Sequence, residues 1–162
     1  MVARNGSTKF FNKGSLLVEI LVVVSIITVS ILVALNVTQK SIYLARQSLH
    51  QSQAAFLLEE GAEATRVVRD SAWINISNLN LATDYYLSFS GGTWNLSVTP
   101  NAVGIFTRKV VFSSVYRDGN QNIAPSGVLD AEARLVTVTV SWMDGAQTLS
   151  KTLQFYINDI FS

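Results

Sequence analysis

Between Gly14 and Gln39 the chain carries a single charge, Glu19. The twenty residues 16–35 are apolar apart from Glu19, Ser25, Thr28 and Ser30. At about 1.5 Å rise per residue, a helix of that length spans the roughly 30 Å hydrocarbon layer of a bilayer. A carboxylate near the start of such a segment costs about 2–3 kcal/mol at the bilayer centre, and less toward the interface. An ionisable group in that position calls for a partner.

The flanks set an orientation. Residues 1–14 hold Arg4, Lys9 and Lys13 and no acid. The positive-inside rule then places the N-terminus in the cytoplasm and everything after Leu35 outside. An ordinary secretory signal has a shorter apolar core followed by a small-residue cleavage site. Here the core is longer, and Ala34, Leu35 and Asn36 make a poor site. An uncleaved single-span anchor is one reading, but it gives Glu19 and the Lys13–Gly14 step no role.

The order Lys13, Gly14, Ser15, Leu16, Leu17, Val18, Glu19, followed by the apolar run, resembles the N-terminal signature of type IV pilins and type II secretion pseudopilins. The resemblance implies cleavage after Gly14 by a prepilin peptidase at the cytoplasmic face. It also implies N-methylation of Ser15 and retention of the apolar helix. Glu19 becomes the fifth mature residue, and the family's partner for it is the N-terminal amine of a neighbouring subunit. Such a pair sets register between subunits, as one buried polar group fixes register in a coiled coil. The other reading of Glu19 is that it snorkels to the cytoplasmic headgroups. Two features depart from the family's commonest pattern. Ser15 stands where phenylalanine is usual, and no proline occurs before Pro100. Both favour a minor subunit over a major one. The partners implied are the peptidase, other pilin subunits, an inner-membrane assembly platform with its ATPase, and lipid before assembly.

Helical periodicity continues past the apolar run. Residues 36–70 contain no proline and one glycine, Gly61. Ile42, Ala45, Leu49 and Phe56 form one apolar stripe, and Leu57, Ala64 and Val68 a second. The patch 54–58 reads as the centre of contact with the rest of the domain. Glu59, Glu60, Glu63, Arg66, Arg69 and Asp70 read as a solvated face. One helix from about Leu16 to about Arg69 is expected. Residues 62–73 resemble the helix end of many minor pilins.

From Asp84 the period changes to two. Residues 85–89 and 94–98 flank Ser90, Gly91 and Gly92, a hairpin signal. Further strands are expected over 105–116, over 134–142 with Val136, Val138, Val140 and Trp142 on one side, and over 147–157 after the Asp144–Gly145 turn. In that last strand Leu149, Leu153, Phe155 and Ile157 are the inward candidates. The fold class is α+β: a long helix on an antiparallel sheet of four or five strands. The domains expected are a leader (1–14), an assembly helix (15–35) and an extracytoplasmic domain (36–162).

Much chemistry is missing. The chain has no cysteine and one histidine, His50. A disulfide framework, a zinc-thiolate site and a cysteine nucleophile are excluded. No Gly-x-Ser-x-Gly accompanies His50, and there is no phosphate-binding loop. No enzymatic activity and no cofactor is expected. Asp118, Asn120 and Asn122 are spaced like the start of a calcium loop, but Ile123 occupies the glycine position. Asp130 stands one step beyond the closing position. A turn-rich loop is the better reading, with Asp118, Asn120, Asn122 and Asp130 as calcium candidates. Without residues 1–14 the side-chain charge is −2, a poor balance for nucleic acid. Arg108, Lys109 and Arg117 are the only candidates for a local basic patch.

Overall fold

The computed structural model describes residues 13–161, with side chains from Leu16 onward. The helix α1 runs Lys13–Ser71 and the single turn α2 Ile74–Ser77. Seven strands follow: β1 Tyr85–Ser90, β2 Thr93–Ser97, β3 Ala102–Val103, β4 Phe106–Arg117, β5 Ile123–Ala124, β6 Val128–Asp144 and β7 Gln147–Asn158. They form one antiparallel sheet in the order β2-β1-β4-β6-β7, and β3 and β5 each pair with β4. The α+β class holds, with two more strands than expected because β3 and β5 are two-residue pieces. The chain divides into two compact units, with the boundary between Arg46 and Gln47.

In the first unit every side chain of residues 16–46 is exposed. This stretch is long and apolar enough to cross a membrane. Its hydroxyls are turned inward along the helix. Ser25 donates to the Leu21 carbonyl at 2.7 Å, Thr28 to Val24 at 2.8 Å and Ser30 to Ile26 at 2.8 Å. Thr38 and Ser41 do the same with Ala34 and Val37. In lipid a hydroxyl without a partner is penalised, and a carbonyl one turn back supplies one.

In the second unit α1 lays one face on the sheet. Ala54, Leu58, Gly61, Ala62, Thr65 and Val68 recur at spacings of three and four and are buried. The first expected stripe is wrong: Ile42, Leu49 and Phe56 are 51%, 55% and 70% exposed. The reason is steric. The helix seats closely on the sheet, so the facing positions are small, whereas hydropathy singled out the large residues. A Cβ at Gly61 would lie 2.8 Å from Val138 Cγ1 and 3.0 Å from Arg108 Cδ. The second stripe is nearer the mark, since Ala64 and Val68 are buried and Leu57 half-buried. Thr65 is buried without loss because its Oγ1 donates to the Gly61 carbonyl at 2.8 Å. After Ser71 the chain turns, and Asn75 Nδ2 donates to Ser71 Oγ at 3.0 Å.

The sheet's inner face supplies the rest of the core: Val110 and Phe112 on β4, Val136, Val138 and Val140 on β6, and Ile157 on β7. Phe106 and Trp142 close one end, their rings 5.7 Å apart. The expected inward set on β6 is correct. On β7 the parity is correct, but Leu153 remains 36% exposed because β7 is an edge. β6 begins at Val128, six residues before the expected strand. Its register with β4 shifts between Ser114 and Val115, which face Arg134 and Asp130. The polar residues of that bulge break the alternation that identifies a strand.

Two hairpins close on two-residue turns. Gly91 and Gly92 sit at φ 61° and 80°, the mirror-image turn that matches strand twist. Gly145 takes φ 63° in the turn joining Asp144 to Gln147.

Candidate functional site

Glu19 lies within α1, exposed among exposed Leu16, Val18, Ile20 and Leu21. Among the described residues it has no ion-pair partner. Among the described residues α1 runs from Lys13, and the turn that opens it there holds no acid. Cleavage after Gly14 would start the chain at Ser15 and bring Glu19 to the first full turn. There the helix dipole and unpaired N–H groups favour a carboxylate by about 0.3–1 kcal/mol. That falls short of the cost of burial, so an unlike charge is still required. The backbone at Gly14 and Ser15 is helical. A protease needing an extended Gly14–Ser15 bond must first unwind that end, which glycine eases. Residues 1–12, most of the expected leader, lie outside the described residues.

The calcium candidates are engaged elsewhere. Asp118–Asn122 is the tip of the β4–β5 hairpin. Asp118 Oδ1 accepts the backbone N–H groups of Asn120 at 2.8 Å and Asn122 at 2.9 Å. These bonds, the one from Asn122 foremost, hold its carboxyl below the usual carboxylate range. Asp130 Oδ2 accepts Arg117 Nε at 2.6 Å, and Oδ1 accepts the Glu132 N–H at 3.0 Å. The Arg117 guanidinium is the main cause of its lowered pKa. Arg117 Nη1 also donates to the Gln121 carbonyl at 2.9 Å, tying loop and strand together. The loop is thus an internally bonded turn, as its composition suggests. Among the described residues no three His, Cys, Asp or Glu side chains converge as a metal site.

The basic patch does not form. Each of its three members faces a carboxylate. Arg117 has Asp130, and Lys109 Nζ reaches both oxygens of Asp84 at 3.1 Å. Arg108, 3% exposed, pairs with Glu60, and its guanidinium lies over the Trp94 ring, 5.4 Å from the centroid. It also donates to the Leu57 carbonyl at 3.4 Å. Glu60 lies on the exposed face, as expected, and from there pairs with a cation held beneath the helix. Parity could have located Arg108, since it shares the inward side of β4 with Phe106, Val110 and Phe112. Glu59, Glu63 and Asp70 also face solvent, with Arg66 paired to Glu63, whereas Arg69 is largely covered and holds Asp70 at 2.7 Å.

His50 packs edge-on against Phe106, ring centroids 6.2 Å apart. It borders an open apolar groove of about 560 Å³ with Leu49, Phe56 and Ile105. No protein-family model, curated protein or solved structure matches the chain.

Proposed function

We propose that the chain is a prepilin, a membrane-anchored precursor of a subunit in a type IV pilus or a related secretion pseudopilus. The observation that carries this is Glu19, the one charge in residues 16–39, a helical stretch whose apolar side chains have no cover among the described residues. The residues before it complete the case: basic leader, Gly14, Ser15, then the apolar step. The peptidase removes residues 1–14, and Ser15 becomes the methylated N-terminus. The platform then draws the helix from lipid into a core of like helices. Glu19 pairs there with the Ser15 amine of a neighbour. Its cost in lipid becomes a term favouring exit from lipid. The N-terminus faces the cytoplasm before cleavage, and the sheet domain lies outside. The role is structural, and the departures at Ser15 and the absent proline favour a minor subunit.

Mass spectrometry of the N-terminal peptide from cells that possess the peptidase tests this. A methylated Ser15 at the mature N-terminus is expected. An intact Met1 sinks the proposal and leaves a plain anchored domain.

A further inference from the structure

The main run of the sheet ends in β2 and β7, each paired on one side only among the described residues; the two-residue β3 and β5 lie off that run. β7 pairs with β6 in unbroken register from Asp144↔Gln147 to Ala133↔Asn158. A two-residue turn makes its closing pair hydrogen-bonded, and bonded and non-bonded pairs then alternate. The odd-numbered residues of β7 therefore spend their backbone groups on β6. Ser150, Thr152 and Gln154, with Thr148 and Tyr156, turn their N–H and C=O groups outward, where no backbone partner meets them among the described residues. No proline or bulge guards this edge, and such edges are templates for another strand. Its one charge, Lys151, is drawn back to the Gln51 carbonyl at 3.3 Å.

The same reasoning applies to β2. The Gly91–Gly92 turn closes on Ser90↔Thr93, so Trp94 and Leu96 turn their backbone groups outward. This strand carries no charge.

Direction and parity restrict what fits. Four antiparallel steps separate β2 from β7, so the two edges run parallel. Copies anchored in one membrane have α1 pointing the same way, an argument that rests on the proposed function. A second copy therefore offers its β2 parallel to β7. In a parallel ladder a residue bonds to the two residues flanking its opposite number. The bonding residues of the two strands must then have side chains on opposite faces. They do: those of Ser150, Thr152 and Gln154 are on the outer face, and those of Trp94 and Leu96 on the helix side with Leu87. Two β7 edges joined with both helices on one face of the sheet would run antiparallel, which reverses one anchor; joined in parallel they would put the two helices on opposite faces. Joining β7 to β2 sets Trp94 and Leu96 against two consecutive helix-side residues of β7, among Leu149, Lys151, Leu153 and Phe155, with no like charges opposed.

We infer that the β7 edge takes the β2 edge of a second copy, in parallel. The two surfaces differ, so the contact repeats from copy to copy rather than closing on a pair.

The cysteine-free chain allows a direct test. Full-length copies bearing Asn95→Cys and one tag are co-expressed in membranes with copies bearing Ser150→Cys, Thr152→Cys or Gln154→Cys and a second tag, then oxidised. A two-tag disulfide dimer is expected from at least one pairing and from neither copy alone. Adding Thr152→Pro to the Ser150→Cys or Gln154→Cys copy should abolish it, because that N–H points away from β6. Absence of every two-tag dimer while the mature N-terminus at Ser15 is detected overturns edge pairing and leaves the filament reading standing. A dimer of Thr152→Cys with itself overturns it in favour of a symmetric contact. No dimer together with an intact Met1 removes both.

Discussion

Residues 16–46 and 47–71 belong to one helix, yet they treat apolar surface in opposite ways. The first stretch is the more hydrophobic and buries no side chain among the described residues. The second is polar over much of its surface and buries Ala54, Leu58, Ala62, Ala64 and Val68. Hydropathy measures what a residue avoids; burial depends on whether a complementary surface is in reach. The sheet provides that surface for small residues of the second stretch. The first has no such surface among the described residues.

If this division is right, substitutions in the two stretches separate assembly from folding. The largest effect is expected at Glu19. Glu19→Ala should reduce recovered filament at least tenfold, a factor equivalent to about 1.4 kcal/mol or more. The thermal midpoint of the purified full chain should stay unchanged. A drop in that midpoint would break the comparison, because it would make Glu19 part of the fold. Next comes Gly61→Val, which should lower stability by about 2–3 kcal/mol in denaturant melts, since the space beside Val138 and Arg108 is already closed to a methyl.

Glu60→Ala should cost about 1–2 kcal/mol, a figure reduced because Glu60 is 46% exposed and water can replace part of its interaction. Arg108→Met together with Glu60→Ala should recover some of that loss. Phe56→Ser sharpens the contrast within the second stretch. It should change stability by less than about 0.5 kcal/mol, whereas Leu58→Ala, two residues on and on the opposite face of the helix, should cost about 2–3 kcal/mol.

The smallest effect concerns the loop at Asp118. Asp118 and Asp130 both have lowered carboxyl pKa values, so their contribution is complete above the ordinary carboxylate range. It is lost as the pH falls through the lowered values, below about pH 4. Amide exchange at Asn120 and Asn122 should therefore show steady opening from pH 7 to 5 and faster opening only in acid. A change near neutrality would contradict the assignment.

Much of this was legible before any coordinates. Val136, Val138, Val140 and Trp142 announce their face by strict alternation, and the two glycine turns fix where the hairpins close. The anchor segment is visible from residues 16–35 alone. The buried face of the second helical stretch was legible in part, through the patch 54–58 and the stripe of Ala64 and Val68. Gly61, Ala62 and Thr65 were missed because hydropathy gives small residues little weight. Arg108 was misplaced because charge suggests solvent, and only its parity on β4 betrays it. The start of β6 was hidden because Asp130 and Glu132 sit in a bulge, where alternation stops. For the candidate site, the sequence supplied Gly14, Ser15 and Glu19, and the structure adds the exposed surroundings of Glu19. It also returned Asp118 and Asp130 to ordinary loop bonding.

The inward-turned hydroxyls of Ser25, Thr28 and Ser30 have a consequence for transfer between surroundings. Each donor is already committed to a carbonyl of its own helix, so none must find or surrender a partner when the neighbours change. The segment is chemically mute toward its surroundings, hydrocarbon tail or protein side chain alike. In the proposed assembly, Glu19 is where the choice between them would register.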